Sequence, residues 1–288
     1  MCDVESYIYL PLLEQTGFIP SRKYAGGEEI RKYAEMIAGH YKLNDRALFQ
    51  SSGKSLTWKS DHWECEILEK PKGLSERKIS INADFVILGS GGFTYPKVPN
   101  VPGAESFKGA QLHTGRWNYD ITGGDPTNPV LSKLSDKNVV IIGTGATAIQ
   151  AVPELAKYAK NLYVVQRTPS AVAFRGNRDT DSAEWNTKIA NKKGWQKERA
   201  DLLQLFTEQH HDLPEDVIGD GFSSMPTIAG AFGGPSDIKP EEAAKRLEEM
   251  RVIDDVRSDQ VRARALEVVK NVETAQVKDI TSTSVWLH

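Results

Sequence analysis

The chain has 288 residues, of which 39% are hydrophobic and 26% charged, a length and balance suited to one large or two ordinary globular domains. A net charge of −3 gives no basic field for nucleic acid and no polybasic patch for a membrane surface, and no apolar run approaches the roughly 18 residues a bilayer span requires. Two cysteines, Cys2 and Cys65, are too few for a disulfide framework or a zinc site, so packed thiols in a reducing compartment are expected, and no metal.

The opening stretch "MCDVESYIYLPLL" is mixed and partly apolar. It lacks the basic start and apolar core of a secretory signal, which makes the cytoplasm the expected location. Apolar periodicity predicts a helix over 28–41, with Ile30, Tyr33, Ala34, Ile37, Ala38 and Tyr41 on one stripe. Strand-like runs follow at 47–58 and 62–69, the second holding Cys65 as a small buried thiol. A polar turn spans 70–77, and "ISINADFVILGSGG" (79–92) reads as a buried strand ending in a glycine turn. The prolines of "YPKVPNVPG" (95–103) mark a linker, with a domain boundary near it. From Thr180 onward the sequence is helical and polar. A charged helix is predicted over 239–271 with Pro240 near its start. The last residues, 277–288, have no helical period.

The most informative stretch is "NVVIIGTGATAIQAVPELAKYAKNLYVVQRTPSAV", which reads as strand, glycine turn, helix and second strand. Gly143, Gly145 and Ala148 form G-x-G-x-x-A directly after the apolar run 139–142. The first glycine permits the tight turn, the second lets a pyrophosphate approach the backbone, and the small third residue lets helix and strand pack closely. The helix N-terminus then offers free N–H groups and a positive dipole end to phosphate. Pro153 is expected to kink that helix. Where a domain preferring NAD carries an acidic residue, about twenty residues on, this chain has Gln166, Arg167 and Thr168. Arg167 can fork two hydrogen bonds to a 2′-phosphate, which favours NADP(H) over NAD(H); the alternative is a solvated surface arginine.

Between linker and loop lies "FKGAQLHTGRWNYD", with Phe107, Gly109, His113, Thr114 and Trp117 at the spacing F-x-G-x-x-x-H-T-x-x-W. Taken alone, His113 would be a structural histidine. The whole string, placed just before a nucleotide loop, resembles the fingerprint of the Baeyer–Villiger monooxygenases, FAD- and NADPH-dependent enzymes of the wider flavin-containing monooxygenase superfamily. Asn118 stands where that pattern usually has proline or aspartate. The resemblance extends from Cys2 to about Gln276.

It implies an α/β fold of two Rossmann-like dinucleotide-binding domains, with an incomplete FAD domain over 1–100, an NADP domain with its linker over 101–235, and a helical insertion with a tail over 236–288. It implies FAD and NADP(H) as cofactors, and oxygen insertion from O2 into a small-molecule ketone to give an ester or lactone, in secondary metabolism. Asp3 maps to an aspartate beside flavin and nicotinamide, flanked by Cys2 and Val4, and Tyr9 maps to a tyrosine that contacts FAD; a core aromatic is the alternative for Tyr9. Gly53 lies in the strand that meets the adenine end of FAD. His113 and Trp117 belong to the linker that couples nicotinamide to flavin, and Asp3, His113 and Trp117 are the catalytic candidates. Gly143, Thr144, Gly145, Ala146, Thr147, Ala148, Ile149, Gln150, Arg167 and Thr168 would cradle NADPH. The family's own FAD G-x-G-x-x-G and its returning lysine–arginine segment have no counterpart in this sequence. The 288 residues by themselves are therefore expected to be colourless, weak in NADPH binding and inactive on ketones. A remnant that binds NADPH weakly and an S- or N-oxygenating flavin monooxygenase are the other readings, the latter disfavoured by "HTGRW". No protein partner is legible.

Overall fold

Two short helices, α1 (Ser6–Tyr9) and α2 (Leu13–Thr16), open the chain ahead of the longer α3 (Gly27–His40). The computed structural model describes residues 4–91, 95–167, 172, 174–208, 213–225, 228 and 239–268. Its chain divides into two compact units, one of Met1–Ile30 with Asn118–His288 and one of Arg31–Trp117. Helix α3 matches the predicted bounds to within a residue. Of its predicted apolar stripe Tyr33 is buried, while Ala34 is exposed and Tyr41 lies past the helix end.

The second unit is built on an antiparallel meander of β1 (Ser51–Lys59), β2 (His62–Glu69) and β3 (Arg77–Ala83), in the order β1-β2-β3. Trp58 and Trp63 face each other across β1 and β2, edge to face with centroids 5.4 Å apart. Such cross-strand pairs contribute roughly 0.2–1 kcal/mol and pin the register. The first strand starts later than predicted, because Gln50 turns the chain with a positive φ of 55° just before Ser51. Cys65 is half-buried on β2 rather than fully packed.

The expectation of a buried strand over 79–92 requires correction. Pairing ends at Ala83, and Phe85, Ile87 and Leu88 are 88%, 93% and 77% exposed. An apolar run becomes a buried strand only where a neighbour supplies ladder partners and cover, and among the described residues no strand ladder extends past Ala83.

In the first unit, α4 (Tyr119–Thr122) leads to β4 (Asn138–Ile142), α5 (Ala146–Tyr158) and β5 (Asn161–Val165). The strands are parallel, in register from Asn138↔Asn161 to Ile142↔Val165. This is the strand–turn–helix–strand unit read from the sequence. Valine and isoleucine suit the pleated strands, and Ile141, Ala148 and Leu155 are buried where strand and helix meet. Helix α5 continues through Pro153 as one element.

Beyond β5 the sequence suggested polar helices, and the structure shows a core. The elements α6 (Ser182–Glu184), a π-helical turn (Trp185–Ile189) and α7 (Trp195–Glu208) pack on the chain's opening segment. Tyr7, 1% exposed, stands edge-on to Trp185 at 5.3 Å, and Trp185 edge-on to Trp195 at 5.2 Å. Full burial of one such side chain stabilises by about 1.5–3 kcal/mol. Gln196 binds the ends of the two short helices. Its Oε1 accepts from the N–H of Leu13 at 2.9 Å, and its Nε2 donates to the carbonyls of Leu10 and Tyr7 at 2.6 and 3.3 Å. Lys23 N–H donates to Arg178 O and Thr180 N–H to Ser21 O, each at 2.9 Å, so 21–25 runs beside 177–180. The charged helix α8 (Ala243–Val268) follows a 3-10 turn begun by Pro240, as predicted. The predicted tail, 277–288, lies outside the described residues.

Candidate cofactor site

The first candidate element is the turn from β4 into α5. Gly143 adopts φ +103°, a left-handed conformation that costs other residues about 1–2 kcal/mol, and its N–H donates to Val165 O at 2.8 Å. The turn is thereby tied to the end of β5. Gly145 is the N-cap residue of the 13-residue α5, and no side chain caps the helix. A Cβ built on Gly143 or Gly145 meets no atom within 4 Å. The first N–H groups of α5 therefore have no side-chain cap and the two glycines are uncrowded, the arrangement an anion needs. Ala148 is buried under the helix, while Ala146, Thr147, Ile149 and Gln150 are exposed and Thr144 is half-buried. The Gln150 side-chain amide donates back to Ala146 O at 3.1 Å.

Arg167 lies two residues past β5, exposed and without an ion pair to any described residue. The parallel register brings it to the same strand ends as the glycine turn. The loop and Arg167 are thus brought together by the fold. Thr168, Cys2 and Asp3 lie outside the described residues.

The fingerprint residues belong to the other unit, up to Trp117. His113 is exposed and N-caps the 3-10 turn Thr114–Arg116, its Nδ1 accepting from Gly115 N–H at 3.1 Å. The ring of the exposed Phe107 lies over Gly109, where a Cβ would meet it at 2.5 Å, so a side chain there would have to displace that ring. Trp117 is half-buried. Asn118 caps α4 by accepting from Asp120 N–H at 2.9 Å, work an aspartate does equally well. The departure at this position therefore preserves the local geometry. Gly53 sits exposed on β1 beside a register shift toward Ser55.

At the chain's start Val4 is half-buried and Tyr9 is 53% exposed. Within these residues the buried tyrosine of the segment is Tyr7, 1% exposed. Sequence reasoning also passed over a buried polar network. Glu5, at 0% exposure, is gripped by Arg199, and Asp220, at 1%, accepts from Tyr24 and from two backbone N–H groups. Burial pushes the Glu5 carboxyl above the usual carboxylate range, against the pull of Arg199. The available signal was a carboxylate inside the partly apolar run "VESYIYL". Among the described residues, no group of histidine, cysteine and carboxylates could hold a metal, and no helix is long and apolar enough to cross a membrane.

An uncapped helix N-terminus after G-x-G-x-x-A, with an arginine at the next strand end, defines a dinucleotide-binding α/β unit. A family model for flavin-binding monooxygenase-like proteins matches residues 18–187, and the chain belongs to that family. It is 48% identical over 282 residues to a polycyclic ketone monooxygenase of Thermothelomyces thermophilus, covering 95% of this chain and 43% of the relative. The solved structure of a polycyclic ketone monooxygenase from Thermothelomyces thermophila superposes with a TM-score of 0.86 at 47% identity, over 97% of this chain and 45% of that one. The OTEMO complex with FAD and NADP shares the fold at a TM-score of 0.63 and 20% identity, over 95% of this chain and 50% of that one. The chain thus spans about half the length, or less, of the proteins it matches. The resemblance to Baeyer–Villiger monooxygenases is borne out, as is the α/β class with partial dinucleotide-binding domains.

Proposed function

We propose that the whole protein is an FAD- and NADPH-dependent Baeyer–Villiger monooxygenase that inserts one oxygen atom of O2 into a bulky, polycyclic ketone, yielding an ester or lactone, in cytoplasmic secondary metabolism. The observation that carries this reading is the open, uncapped start of α5 behind Gly143 and Gly145, with Arg167 at the adjoining strand end. The space above both glycines and the free N–H donors fit the pyrophosphate of NADP(H). Bound NADPH would supply a hydride, and bound FAD the activation of O2.

The chain's own residues bind and orient. Gly143 through Gln150 cradle the pyrophosphate, and Arg167 with Thr168 holds the 2′-phosphate. Tyr9, Val4 and Cys2 belong to the flavin side with Asp3, which lies near the reacting centre, and Gly53 serves the adenine end of FAD. His113 and Trp117 connect nicotinamide position to flavin. We assign 1–100 to the FAD side, 101–235 to the NADP side and 236–288 to a helical insertion with its tail. Residues 5–25 then belong to the FAD side yet pack on the NADP side's 175–220. Calorimetric titration of the whole protein, loaded with FAD, with NADPH and NADH tests the reading. NADPH should bind at least about tenfold tighter, one charge-assisted contact's worth; equal binding, or none, would refute it.

A further inference from the structure

Glu5 is held at both its ends. The Arg199 guanidinium donates two hydrogen bonds to its wholly buried carboxylate, the Nη2–Oε2 distance being 3.0 Å. Its backbone N–H donates to Oδ2 of Asp220 at 3.1 Å. Asp220 also accepts from the Tyr24 hydroxyl at 3.0 Å and from the N–H of Phe222 at 2.8 Å. Arg175 lies 3.5 Å from its Oδ1, with the guanidinium 5.1 Å from the ring centroids of both Tyr24 and Phe222. Two carboxylates and two guanidiniums therefore share one interior site, with the Lys23 ammonium beside it, 5.7 Å from the Tyr24 ring centroid.

Stability alone is a poor reason for such a group, because apolar residues of similar volume generally serve as well or better. What forked, directional bonds add is register, since they fix angle as well as distance. Glu5 begins the segment that becomes α1 and ends at the exposed Tyr9, and in sequence it stands two residues after Asp3. Arg175, Arg199 and Asp220 all belong to the chain that follows β5 and Arg167. We propose that Glu5, Arg199 and Asp220 are positioning residues, a charge-paired clamp that sets the flavin-side segment in register with the NADPH-side chain. This rests on the function proposed above.

The test uses the whole protein loaded with FAD, and reads the fraction of consumed NADPH that appears as ester. Uncoupled turnover releases the remainder as hydrogen peroxide, O2 having taken two electrons and two protons. Glu5→Gln should lower the melting temperature and cut that fraction by about fivefold or more. The double variant Glu5→Gln/Arg199→Met removes both charges, so it should recover the melting temperature yet remain uncoupled. Should the single variant fail to fold, the double variant carries the test. Wild-type coupling in either variant would overturn the clamp. A wild-type protein that binds neither cofactor would instead overturn the functional reading, so the two failures are distinguishable.

Discussion

The backbone N–H of Gly115 donates to Nδ1 of His113 at 3.1 Å, which leaves the neutral imidazole with its proton on Nε2. His113 is exposed, so this second nitrogen is available as a donor. Two roles, cap and donor, therefore sit on opposite sides of one ring. His113→Asn keeps a capping acceptor and should melt within about 0.5 kcal/mol of wild type, while His113→Ala should lose about 1 kcal/mol more. Both should consume NADPH with little ester formed. Thermal melts beside product assays check this, and full coupling in the asparagine variant would reduce His113 to a cap.

Arg167 should discriminate between the two nicotinamide cofactors. Arg167→Ala is expected to weaken NADPH binding by about 1–3 kcal/mol, the range for a charge-assisted contact, and to leave NADH nearly unchanged. Equal losses for both cofactors in a fluorescence titration would leave Arg167 a solvated surface residue.

Gly145 separates binding from folding. It lies at φ −72°, where any residue is comfortable, and a Cβ there meets nothing. Gly145→Val should cost no more than about 1 kcal/mol of stability, as a poorer N-cap residue. Its branched side chain would occupy the space over the helix start, so NADPH affinity should fall at least about tenfold. Unaltered affinity would show that the phosphates do not approach there.

How much of this was legible in the sequence depends on contact range. The unit from β4 to β5 was readable because the glycine spacing and the switch from strand to helix period are local. Phe107, Gly109 and His113 were readable as a string, though the contact of the Phe107 ring with Gly109 emerged only in the structure. The clamp was not readable, because Glu5 and Arg199 are 194 residues apart and Glu5 and Asp220 are 215 apart. Nothing in either neighbourhood announces the other. The run over 79–92 was overread for the converse reason. Composition reports that a segment can be a strand, and not whether a neighbour pairs with it.

Tyr24 gives a pH dependence. Burial, then the charge and hydrogen bond of Asp220, hold its phenol well above the ordinary tyrosine value. A raised folded-state value means the stabilisation is complete below about pH 10, the unfolded value, and is lost as pH rises through the folded one. Alkaline melts should therefore show stability falling above about pH 10. Tyr24→Phe should make that slope shallower, the buried phenol of Tyr7, also held above its ordinary value, keeping the remainder; it should cost about 1–3 kcal/mol at neutral pH, because Asp220 loses a buried donor. An unchanged slope in the variant would assign it to other groups.

The most direct test of the central claim is the fate of molecular oxygen. The whole protein, loaded with FAD, would be given NADPH and a polycyclic ketone under oxygen-18 gas, with products read by mass spectrometry. The account predicts an ester or lactone carrying one labelled atom, formed with NADPH and much more slowly with NADH. Recovered ketone beside oxidised NADPH, or label found only in an S- or N-oxide of an added sulfide or amine, would contradict it.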